Sequence, residues 1–157
     1  MRSSLLSVLC VSLFAGCGSS GPPPPPEGIV IVGQIIRGGK PLELKNAEIG
    51  VETLEIAVVP ADDRNAANTE YALASPDGSF RVEGPGRGVA PGKYRLAVFH
   101  RNDGVMSDGL NGAFSEKSSP IEFEISEDQV GGEFDLKTID LDEVAKPSED
   151  ASEATEE

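Results

Sequence analysis

"EIGVETLEIAVVP", residues 48–60, places Leu54, Ile56 and Val58 at alternate positions, with Thr53, Glu55 and Ala57 between them. A period of two sends successive side chains to opposite faces of an extended chain, so this stretch reads as a β-strand with one apolar face. The same period recurs on both sides of it. Upstream, "IVIVGQII" (29–36) is rich in β-branched residues and ends at the turn Arg37-Gly38-Gly39-Lys40. Downstream, "KYRLAVFH" (93–100) turns Tyr94, Leu96 and Val98 one way, and "IEFEI" (121–125) alternates with Glu122 and Glu124 outward. "TEYALA" (69–74) and "SFRVE" (79–83) flank Ser75-Pro76-Asp77-Gly78, which reads as a β-hairpin with Phe80 in the core. "EFDLKTIDL" (133–141) begins on Phe134 and Leu136 and then shifts parity to Ile139 and Leu141, as a bulge or a strand end would make it do.

No stretch carries a capped helical face, and seven or so short strands with frequent turns predict an all-β, antiparallel β-sandwich. A small barrel fits the same strand pattern. The chain has 157 residues, 38% hydrophobic and 5% aromatic with no tryptophan, which suits one domain with a small aliphatic core. A net charge of −14 lacks the basic stripe that phosphate backbones require, and no nucleic-acid partner is expected.

Both ends of the chain differ from the strand-rich middle. Met1 to Ser4 is a short positive start, and Leu5 to Phe14 is an apolar run of ten residues broken only by Ser7 and Ser12. That is half the ~20 residues a spanning helix needs, and it has the length of a secretory signal's hydrophobic region. Ala15-Gly16-Cys17 follows and resembles a bacterial lipobox, with Phe14 where leucine is commonest. The resemblance implies a signal peptide over 1–16, cleavage before Cys17, and lipid attachment on the Cys17 thiol. The protein would then be held to a membrane of the cell envelope through that anchor, the outer membrane being favoured because Gly18 is not a retention-type aspartate. Cys10 would leave with the signal, so the body would carry no thiol chemistry. Residues 17–28 read as anchor and linker. Gly18 to Gly21 is flexible, and the five prolines Pro22 to Pro26 favour a polyproline rod. At about 3.1 Å per residue such a rod adds roughly 15 Å of standoff. At the other end, residues 140–157 hold eight acids against Lys146 alone. The domain is therefore placed at 29–141, and 142–157 reads as an acidic, disordered tail.

The order "VGQIIRGGKPL" (32–42), "SPDGSFRV" (75–82), "PGKYRLAVFH" (91–100) and "SSPIEFEISEDQVGGEFDL" (118–136) resembles the transthyretin-like, carboxypeptidase regulatory-like domain of small bacterial lipoproteins. The extra segment "LKNAEIGVE" (44–52) departs from the family's pattern. The resemblance implies a seven-stranded, prealbumin-like Greek-key sandwich with a structural or binding role and no catalytic residues or cofactors to carry over. A hormone site does not follow from the fold alone.

The residues themselves agree on the absence of an evident catalytic constellation. His100 is the only histidine, so a histidine-based metal cluster is excluded, and no Gly-x-Ser-x-Gly elbow occurs. His100 ends a strand on the face of Tyr94, Leu96 and Val98, where it reads as a partly buried structural residue. The longest loop, "RNDGVMSDGLNGAFSE" (101–116), offers Asn102, Asp103, Asp108, Asn111 and Glu116 as hard oxygen ligands for calcium, though at a spacing unlike the standard calcium loop. Asp62, Asp63, Asn65 and Asn68 form a second such set. In Pro91-Gly92-Lys93-Tyr94 the tyrosine is expected to pack its ring and give its hydroxyl to the backbone. The chain thus reads as a non-enzymatic, lipid-anchored envelope protein with an envelope protein or polysaccharide as partner. The alternatives are an accessory subunit or small enzyme processing carbohydrate or peptide, and a calcium-binding surface module.

Overall fold

Alternation decides which strand faces meet. In the computed structural model, which describes residues 28–45, 47, 50–62, 68–84, 88–103 and 107–145, there are eight strands. They are β1 (Val30–Arg37), β2 (Lys40–Pro41), β3 (Thr53–Pro60), β4 (Glu70–Leu73), β5 (Ser79–Val82), β6 (Gly92–Arg101), β7 (Glu122–Ile125) and β8 (Glu133–Asp140). A 3-10 turn covers Glu127–Gln129, and a four-residue helix, α1 (Leu141–Val144), follows β8. Cys17 and the rest of the expected signal and linker up to Glu27 lie outside the described residues, as do residues 146–157 of the acidic segment.

One sheet is built on β1. Strands β5 and β2 share one of its edges, antiparallel, at Ile31–Gln34 and Ile36–Arg37, while β8 runs parallel along the other. The second sheet has the order β4-β3-β6-β7 and is antiparallel throughout. Ile31, Ile35, Phe80 and Val82 from the first sheet meet Leu54, Ile56, Val58, Leu96 and Val98 from the second in one buried cluster. All nine are 5% exposed or less, and burying each such side chain stabilises by about 1.5–3 kcal/mol. The architecture is a β-sandwich. Ala57, Val59 and Ala97 form a second, small buried cluster on the opposite face of β3 and β6, with Phe99 against it.

The parity shift in β8 is a bulge. Val32 pairs with Asp135 but Gln34 with Thr138, so β8 spends one more residue than β1 over that interval, and Lys137 takes a left-handed φ of 62°. The extra residue lets Phe134 and Leu136 before it, and Ile139 after it, all pack on the core. Opposite the bulge stands Gly33. A Cβ there would lie 2.8 Å from Phe80 Cζ and 3.2 Å from the Lys137 carbonyl oxygen, so the Phe80 ring fills the space a side chain would take.

The hairpin expected at 69–83 is not one. Strands β4 and β5 belong to different sheets, and Ser75–Gly78 carries the chain from one to the other. The turn closes as its residues predict, with the Ser75 amide donating to the Ser79 carbonyl at 2.7 Å and the Gly78 amide to the Ser75 carbonyl at 2.8 Å. Beyond it the strands separate, because each has a longer partner. Ala74 N donates to the Leu54 carbonyl beside β3, and Ser79 pairs with Gln34 of β1. The turn is also held on β1, where Ile35 N donates to the Gly78 carbonyl at 2.9 Å and Gln34 Nε2 to that of Asp77 at 2.9 Å. Gly78 has φ +85°, and a Cβ would stand 2.0 Å from the Ile35 carbonyl oxygen. No other residue fits there.

Tyr94 behaves as its motif predicts, with its ring 8% exposed and its hydroxyl donating to the Ala90 carbonyl at 2.8 Å. Its ring stacks on Phe123 of β7, which stacks on Phe134 of β8 at centroid distances of 5.8 and 5.7 Å. This column of three closes the side on which the two sheets come together.

Because β1 and β8 are parallel, the chain enters the sandwich at one end, the base, beside Gly28, and leaves it at the other, the tip, at Asp140 and α1. Eight residues at about 3.3 Å separate the two by roughly 26 Å.

Two measurements check this account. Phe80→Ala should lower unfolding stability by about 3–5 kcal/mol in urea titrations, since it opens a cavity over Gly33. Asp77 should make stability depend on acid: the Ser79 hydroxyl, and then the Ser79 amide, hold its carboxyl below the ordinary 3.8. A carboxylate with a lowered folded pKa stabilises above its unfolded value and loses that contribution as pH falls through the folded one. From about pH 4 downward, Asp77→Asn should therefore lose stability less steeply than the parent.

Candidate functional site

The tip is where separate parts of the chain converge. The two-residue turn Gly38–Gly39 joins β1 to β2, and its amides point at the end of β8. Both donate to the Asp140 carboxylate, at 3.0 and 2.7 Å, and Asp142 N donates to the same group at 3.0 Å. Asp140 thus ends β8, caps α1 and fixes the first turn of the domain. Arg37 Nε donates to Asp142 at 2.9 Å, and Leu141 is 1% exposed beneath.

Beside this latch is a cleft of about 330 Å³ lined by Arg37, Lys40, Pro41, Leu42, Glu43 and His100. His100 sits where its strand parity puts it, at the tip end of β6 opposite Leu54. Its amide donates to Asp108 Oδ1 at 3.1 Å and its carbonyl accepts from Gly109 N at 2.7 Å. The ring lies so close to Gly109 that a Cβ there would be 2.7 Å from Nδ1. Nε2 is buried and has no hydrogen-bond partner among the described residues.

The loop oxygens do not converge on an ion. Asp108 is turned onto its own backbone, Oδ1 accepting from the amides of His100 and Leu110 (3.0 Å) and Oδ2 from that of Gly112 (2.8 Å). Glu116 accepts from the Tyr71 hydroxyl at 3.0 Å, and burial, then this bond, push the Tyr71 phenol up from 10.0. Asn102 and Asp103 are exposed, and Asn111 takes a left-handed φ of 53°. Among the described residues no three of His, Cys, Asp and Glu are grouped to hold a metal. Of the second set, Asp62 and Asn68 are exposed, while Asp63 and Asn65 lie outside the described residues.

The loop instead covers the edge of β6 that β7 leaves free. Gly109 N, Val98 N and Leu96 N donate to the carbonyls of His100, Phe114 and Ile121, and Leu110, Phe114 and Ile121 enter the core. Sequence reasoning saw the oxygens and missed Leu110 and Phe114, while the alternation of 121–125 had already turned Ile121 inward. It also missed the cleft, because no local pattern links residues 37–43 to residue 100.

No family model, curated protein or solved structure matches the chain significantly.

If Asp108 is a turn-holder, Asp108→Ala should cost about 1–3 kcal/mol, because three amides lose their acceptor. Millimolar calcium should leave the thermal midpoints of parent and variant where they are, as read by calorimetry.

Proposed function

We propose that this chain is a non-enzymatic, lipid-anchored protein of the cell envelope that displays the tip of a β-sandwich away from the membrane. The observation that carries the reading is the path of the chain. The segment that holds the lipobox-like Cys17 joins the domain at the base, and the acidic segment leaves from the tip. With the base tethered through Cys17 and the proline rod, the tip loops face outward, where a partner protein or polysaccharide can reach them. Localisation follows from the anchor, with the outer membrane favoured.

The transthyretin-like, prealbumin-like reading belongs to the same proposal. The return of β6 beside β3, after the chain has crossed from β4 to β5 in the other sheet, supports a Greek-key reading. The described residues form eight strands, one more than the family resemblance implies, and the reading takes the two-residue β2 as part of the β1 turn.

The test is at Cys17. Labelled palmitate should enter the parent protein and not Cys17→Ser, and the variant should move from the membrane to the soluble fraction. Equal labelling of the two overturns the anchor.

A further inference from the structure

We propose that the cleft at the tip is a carboxylate-binding site. Its donors are in place and its acceptors are few. Arg37 and Lys40 are register partners across the β1–β2 hairpin. Directly opposite residues of an antiparallel pair project from the same face about 4.5–5.5 Å apart, and like charges in that position repel. Asp142, bound to Arg37 Nε, offsets part of that repulsion, and an anion lying between the two cations would offset the rest. Within the domain Arg37 reaches Asp142 through Nε, and Lys40 makes no ion pair among the described residues. His100 adds to the lining a ring whose buried Nε2 has no hydrogen-bond partner among the described residues. Glu43 is the one acidic side chain in the lining, and Pro41 and Leu42 give an apolar wall.

The turn between the two cations is also held. Asp140 ties both turn amides between Arg37 and Lys40, so the backbone that carries the pair is fixed before any ligand arrives, and only the two exposed side chains are left to order. A volume of about 330 Å³ suits a small ligand or one ring of a larger one. A singly charged group fits better than a phosphate, since Asp140, Asp142 and Glu143 stand at the same end and would repel a dianion.

A carboxylate can come from two sources. One is the chain itself, because Glu149, Asp150, Glu153, Glu156 and Glu157 follow α1, which ends at this tip. Twelve residues past Ala145, at up to about 3.3–3.6 Å each, give a reach of roughly 40 Å from the end of α1, which is bonded through Asp142 to Arg37 of the lining. The other is an external acid such as a uronic sugar. The inference deepens the display reading by giving the tip a ligand class. Its readout is independent of anchorage, so a failure here and a failure at Cys17 are told apart.

His100 supplies the probe, since a chain with one histidine gives one imidazole signal in a nuclear magnetic resonance spectrum. The full chain is titrated with sodium glucuronate and, in parallel, with glucose. Glucuronate should move the His100 signal saturably and glucose should not, and Lys40→Gln should weaken the binding at least tenfold while leaving the backbone spectrum folded. A second full-length chain carries Glu149→Gln, Asp150→Asn, Glu153→Gln, Glu156→Gln and Glu157→Gln. If neutralising these acids moves the His100 signal with no ligand added and tightens glucuronate binding, the chain's own carboxylates occupy the cleft. If it changes neither while glucuronate binds, the ligand is external. The proposal is overturned if neither glucuronate nor neutralisation moves the signal, or if Lys40→Gln responds as the parent does.

Discussion

Strand β1 is paired along both edges, and its longest partner is the last strand of the chain. The rest of the first sheet depends on that parallel ladder. Without β8, the side of β1 that carries six register pairs would be an open edge, and Phe134, Leu136 and Ile139 would be missing from the core. The pairing also joins residues about a hundred positions apart, the kind of contact that forms late and slows folding. The bulge at Lys137 makes the ladder compatible with the core, and Gly33 with the Phe80 ring over it makes the bulge compatible with β1. Each of these features would be unfavourable alone.

The acidic composition has a structural side. Asp77, Asp108, Asp135 and Asp140 all accept from backbone amides of nearby turns or bulges. Asp135 binds the Lys137 ammonium and amide and is lowered from 3.8 by them, so it holds the bulged residue in its left-handed conformation. Part of the negative charge is thus spent on fixing backbone geometry, and the Asp108 oxygens, conspicuous in the sequence as ion ligands, are turned onto backbone amides. The exposed ion pairs, Arg37 with Asp142 and Arg81 with Glu83 and Glu133, each contribute little in water.

What could be read in the sequence was what depends on local period. Leu54, Ile56 and Val58, and Tyr94, Leu96 and Val98, face inward because a pleated chain leaves them no choice. The parity shift after Leu136 was visible for the same reason. What could not be read was partnership. Ser75-Pro76-Asp77-Gly78 specifies a reversal, but the sheet each arm joins is decided by β3 and β1, far away in the chain. The loop at 101–116 was misleading in a related way, since its polar residues are conspicuous and its two apolar anchors, Leu110 and Phe114, stand singly among small and polar residues. The tip cleft is assembled from a hairpin and the end of β6, and nothing local announces it.

The parallel ladder and the opposite exits have a mechanical consequence. A pull applied between Gly28 and Ala145 drags β1 toward the base and β8 toward the tip, along the strand axes and in opposite senses. The hydrogen bonds between them are then loaded side by side in shear and must fail together, whereas strands peeled apart from one end give way one bond at a time. A domain held at its base and tugged at its tip would resist through the very pair of strands that closes its fold.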